Sequence, residues 1–105
     1  MRLTPEERDA IAAAARQTLL PGTRVSLFGS RVDDSARGGD IDLLLEPGEP
    51  MHAAEWVARR GAFIARLYAL MGERRIDVVL APQGSGEELP VVSSARRQAV
   101  PLVRT

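Results

Sequence analysis

The longest helical pattern constrains this chain most. From Met51 to Met71 apolar residues recur at helical spacing, and Gly72 closes the run. With Trp56 as origin at 100° per residue, Leu70, Phe63, Leu67, Met71, Ile64, Val57 and Tyr68 fall within an arc roughly 160° wide. An ordinary surface helix presents about 100°. Such an arc has to be covered, either deep within its own domain or in part by a partner. Arg60 lies inside the arc and is expected to snorkel or to pair with a carboxylate. Gly61 costs the helix about 1 kcal/mol relative to Ala unless close packing needs it.

Short strand patterns flank this helix. Arg24–Phe28 and Ile41–Glu46 precede it, and Arg75–Leu80 follows it. Upstream, Thr4-Pro5-Glu6-Glu7 starts a helix that runs to about Leu19. Thr4 can cap it, Pro5 suits the first helical position, and Glu7 stands where a capping box places its carboxylate. Pro21-Gly22 stops it. Pro90–Gln98 reads as a short helix, and Ala99–Val103 as a last strand or an extended tail. The order predicts a small α/β (α+β) domain, with a sheet of three to four strands flanked by helices. The 105 residues support one domain, 1–105. Aromatic residues make up only 4%, so Leu, Val, Ile and Ala must build its core.

Composition removes several function classes. There is no cysteine, which excludes a disulfide framework, a cysteine zinc site and a cysteine nucleophile. The lone His52 cannot form a histidine-rich metal site and reads as a surface or helix-start residue. Fourteen basic residues, all arginine, balance fourteen acidic ones. That argues against bulk nucleic-acid binding and against a polybasic membrane anchor. No apolar run reaches the ~18 residues of a membrane span. The opening MRLTPEERDA turns acidic too early for a secretory signal, so a cytoplasmic protein is expected.

The candidate chemistry lies in carboxylates. In Asp40-Ile41-Asp42 the side chains alternate, so Ile41 and Leu43 face the core while Asp40 and Asp42 project together, ~6.6 Å apart along the strand. Two carboxylates so placed repel each other unless a cation sits between them. Mg²⁺ suits such a pair, taking one or two carboxylates together with substrate phosphates. Asp77 interrupts the apolar strand Ile76-Asp77-Val78-Val79-Leu80. Buried, it needs a cation, a donor or a proton; otherwise it marks an exposed strand edge. If its strand neighbours that of Asp42, three carboxylates converge in the layout of a two-metal phosphoryl-transfer site. Gly29-Ser30, ending a strand, lets backbone approach a phosphate and offers a hydroxyl.

Together these segments resemble the nucleotidyltransferases of the DNA polymerase beta superfamily, most of all the minimal nucleotidyltransferase (MNT) group. The resemblance rests on Val25-Ser26-Leu27-Phe28-Gly29-Ser30, then Asp40-Ile41-Asp42-Leu43-Leu44-Leu45, then Ile76-Asp77-Val78-Val79, and covers Arg24 to Leu80. Gly39 departs from it, standing where the group often has Ser. The resemblance implies a polymerase-beta-like fold in which Asp40 and Asp42 hold two Mg²⁺ ions. It implies that Asp77 holds the catalytic ion and orients or deprotonates the acceptor hydroxyl, and that Gly29 and Ser30 bind a nucleotide triphosphate. Arg31 and Arg37 are further candidates for phosphate contact. A nucleoside monophosphate, AMP from ATP foremost, would pass to the acceptor as pyrophosphate leaves.

The stretch after Asp77 is too short to fold as a second, acceptor-binding domain. The acceptor is therefore expected on another chain or in a shallow cleft. MNT proteins of this size resemble antitoxins paired with HEPN-type toxin RNases, which implies adenylylation of a toxin hydroxyl. A binding antitoxin without catalysis and a small-molecule transferase with a separate acceptor-binding subunit are the alternatives.

Overall fold

The computed structural model describes residues 3–29, 32, 40–81 and 89–105. The expected loops over 31–39, Val32 apart, and over 82–88 lie outside them. Helix α1 spans Pro5–Thr18. Thr4 Oγ1 accepts the Glu7 backbone N–H at 3.0 Å, and the Glu7 carboxylate accepts the Thr4 N–H at 2.9 Å. This reciprocal capping satisfies amides that a first helical turn leaves without partners. Glu7 is buried and also meets Arg74 at 2.7 Å, which ties the start of α1 to the turn after the long helix.

Strands β1 (Arg24–Phe28) and β2 (Ile41–Glu46) follow, then α2 (Ala53–Met71), β3 (Ile76–Leu80), α3 (Pro90–Gln98) and β4 (Val100–Arg104). Helix α2 begins at Ala53 rather than Met51, with His52 as its N-cap. The tail is a strand. The sheet runs β3-β2-β1-β4, with β1 antiparallel to both β2 and β4 and β2 parallel to β3. Helix α2 supplies the crossover that a parallel pair requires. A four-stranded mixed sheet flanked by three helices is the α+β architecture expected, and it is consistent with a nucleotidyltransferase-like fold.

Strand alternation divides the core in two. Val25, Leu27, Ile41, Leu43, Leu45 and Val78 face α1 and α2, where they meet Ile11, Ala14, Ala15, Leu19, Phe63 and Leu67. On the opposite face Leu44, Ala81, Phe28 and Val79 pack under Val92 and Ala95 of α3. Each fully buried Leu or Phe contributes roughly 1.5–3 kcal/mol.

The domain covers only the centre of the α2 arc. Phe63 and Leu67 are fully buried, and Trp56, Ile64 and Met71 partly so. Val57 stays 67% exposed, Leu70 42% and Tyr68 36%. Packing the whole arc within the domain, one of the two expected coverings, is therefore not what the structure has. The sheet lies beneath α2 and α1 beside it, which leaves the flanks of so wide an arc open. Among the described residues Arg60 meets no carboxylate; its Nε donates to the Val78 carbonyl at 3.4 Å. A β-carbon on Gly61 would meet nothing within 4 Å, so packing does not require that glycine. Among the described residues no helix is long and apolar enough to cross a membrane.

Candidate active site

Register decides where the aspartates stand. Ile41 and Leu43 are buried under α1 and α2, so alternation turns Asp42 to the α3 face. In the parallel ladder Asp42 is the direct partner of Asp77, and neighbouring strands lie about 4.8 Å apart. Both side chains leave the same face at the end of the sheet where β2 and β3 begin. Asp40 stands immediately before β2, ~6.6 Å along the chain from Asp42. On the other side of Asp42, its β1 partner is Phe28, and Gly29 follows.

Asp42 is the centre of this arrangement. Its carboxyl is held above the ordinary value of 3.8, first by burial, then by repulsion from Asp77, then from Asp40. Among the described residues no arginine pairs with any of the three. Asp77 itself is exposed on β3, an edge strand. Solvated there, Asp77 does not by itself demand a counter-charge; what sets it apart is its place directly opposite Asp42.

Gly29 is demanded twice over. Its φ is +80°, a conformation that side chains resist. A β-carbon there would overlap Asp42 Oδ2 and lie 3.0 Å from its Cγ. Its carbonyl accepts the Val32 N–H at 3.1 Å. Its own N–H donates to Gln98 Oε1 at 3.3 Å. The backbone expected to approach a phosphate is thus engaged at this N–H by the last residue of α3. Sequence reading misses Gln98 as part of this site, because a contact across 69 positions leaves no local signal. Ser30, Arg31 and Arg37 lie outside the described residues. His52 is exposed at the start of α2 and makes no side-chain cap.

The donor set is all carboxylate oxygen, the chemistry a hard divalent cation prefers. Burial first, and then repulsion from Asp77 and Asp40, disfavours the ionised Asp42 carboxylate, and a bound cation would offset both. Yet among the described residues no three His, Cys, Asp or Glu side chains are gathered closely enough to hold a metal ion. The backbone places Asp40, Asp42 and Asp77 side by side, but their carboxylates do not close around one point. The set fits Mg²⁺ in the chemistry of its donors.

No protein-family model matches the chain, and no curated protein matches it.

Proposed function

We propose that the chain is a Mg²⁺-dependent nucleotidyltransferase of the minimal kind, and that it transfers AMP from ATP to a hydroxyl of a partner protein. One observation carries the reading: the parallel register sets Asp42 against Asp77, with Asp40 beside them and a side-chain-free Gly29 against the Asp42 carboxylate. Asp40, Asp42 and Asp77 would hold two Mg²⁺ ions, which when bound neutralise charge on the reacting phosphates. Asp77, exposed at the sheet edge, is open to an acceptor from outside and would take the proton of its hydroxyl. The acceptor oxygen then bonds to the α-phosphorus as the bond to pyrophosphate breaks. Positioning and charge neutralisation are most of what such a transfer requires.

Gly29, with Ser30, would bind the triphosphate, the Gly29 N–H exchanging Gln98 for a phosphate oxygen. The open flanks of α2 at Val57, Leu70 and Tyr68 support a protein as acceptor. A HEPN-type toxin is the partner proposed, which makes the chain its antitoxin, acting in the cytoplasm. A second reading, an antitoxin that only binds, draws on the carboxylates not being gathered for metal.

The test is intact-mass analysis of a co-purified partner, with and without ATP and Mg²⁺. One or more AMP-sized additions, absent with Asp42→Asn, support transfer. Neutralisation of the partner by Asp42→Asn without any mass change supports binding alone.

A further inference from the structure

At the opposite end of the same sheet face lies a cleft of about 220 Å³, lined by Arg24, Arg96, Arg104, Glu46, Gly22 and Gly48 among others. Arg24 and Arg104 are register partners on β1 and β4, so two guanidinium stems leave the sheet side by side. Like charges placed directly opposite repel. Among the described residues neither has a carboxylate partner, because Glu46, beside Arg24 on β2, takes Arg96 of α3 at 2.5 Å. The arginines outnumber the one acidic side chain in the lining. The floor is close-packed backbone: a β-carbon on Gly48 would sit 2.9 Å from the Gly22 carbonyl oxygen. The Gly22 amide already donates to the Thr105 carbonyl, so the charged donors of the cleft are its guanidiniums.

We infer that this cleft binds a phosphate group, free or esterified to a small molecule. The volume is below the ~300 Å³ at which pockets for drug-sized ligands begin, so the occupant is small. The planar fork of arginine matches a tetrahedral oxyanion bidentately, and an anion between Arg24 and Arg104 relieves their repulsion. This site is separate from the aspartates and does not depend on transferase activity.

The experiment is a titration of ¹⁵N-labelled protein with inorganic phosphate at constant ionic strength, in parallel with glycerol phosphate and with acetate. Saturating shifts at the Nε–H groups of Arg24, Arg96 and Arg104 and at the Gly22 and Gly48 amides are expected. The two phosphate arms tell a free from an esterified ligand, and saturation by either supports the site. Arg24→Gln with Arg104→Gln should weaken binding at least tenfold while the rest of the spectrum holds. Arg104→Gln alone carries the same test should the pair fail to fold. Shifts that never saturate, that acetate reproduces, that survive the double substitution, or that centre on Gly29 overturn the proposal.

Discussion

The two ends of the α3-side sheet face carry opposite charge and are built differently. At one end β2 and β3 set Asp42 against Asp77. At the other, roughly 13 Å along the strand, β1 and β4 set Arg24 against Arg104. Both ends place like charges in register. The carboxylates sit on short stems, and Asp42 is half-buried, so the repulsion registers in its acidity. The guanidiniums sit on long, exposed stems that can spread apart, and Glu46 pairs with Arg96 among them. Desolvated like charge gains more from a counter-ion than solvated like charge does. The acidic end is therefore where a bound cation should change the protein most.

The sharpest way to break this comparison is Asp42→Asn. On the proposed function, initial rates of nucleotide incorporation into the partner should fall on the order of a hundredfold to a thousandfold, the scale of losing one preorganised charge-stabilising group. The fold should persist, since the substitution removes repulsion and leaves shape alone. Undiminished transfer would detach the aspartates from the chemistry altogether.

Gly29→Ala comes next. It forces a β-carbon into positive φ and against the Asp42 carboxylate. A cost of about 1–3 kcal/mol in chemical denaturation is expected from strain at such a position. Combining it with Asp42→Ala, which removes the overlapping carboxylate, cannot restore the loss fully, because φ remains strained. Full restoration would mean that carboxylate overlap alone makes the glycine necessary.

How much of this was legible in the sequence depends on whether information is local. The α1 capping box is written in Thr4 and Glu7, three positions apart, and β1, β2 and α3 begin and end where Gly, Pro and periodicity place them. Asp40 and Asp42 sharing a face follows from alternation alone. Pairing is another matter. That β4 lies beside β1, and hence that Arg104 faces Arg24, is decided by where chain segments dock, and no periodicity encodes it. The same limit hides Gln98 from Gly29. Helical angles give the width of the α2 arc but not what lies over it, so Phe63 and Val57, both within it, end at opposite extremes of exposure. An exposed strand edge is one of the two readings the sequence leaves for Asp77; choosing it over burial takes the strand order, which no local pattern carries.

pH separates the two ends by chemistry. The folded Asp42 carboxyl lies above its ordinary value of 3.8, so the folded state holds the proton more tightly than the unfolded state. Its contribution to stability is present below 3.8 and is lost as pH rises from there through the raised folded value, after which the penalty is constant. Arginine does not titrate in this range. The difference in melting temperature between Asp42→Asn and the native chain should therefore grow in favour of the variant across that window. Mg²⁺ at neutral pH should raise the native melting temperature and move the variant less. A pH-independent difference would mean that Asp42 ionises freely and that the acidic end is as relaxed as the arginine end.

The smallest effect belongs to Arg24→Gln. Relieving one cross-strand like-charge pair should stabilise the chain by about 0.2–1 kcal/mol at low salt. Both guanidiniums are exposed, so salt should erase the gain as the screening length falls to about 3 Å at 1 M. The gain from Asp42→Asn should outlast the same salt, because a half-buried charge is screened less. Denaturation of both variants at low and high salt tests the two ends in one series. Were Arg24→Gln to destabilise at low salt, attraction to its other register partner, Glu46, would outweigh repulsion from Arg104. The arginine end would then be a balanced network of charge, with no excess left for an anion to satisfy.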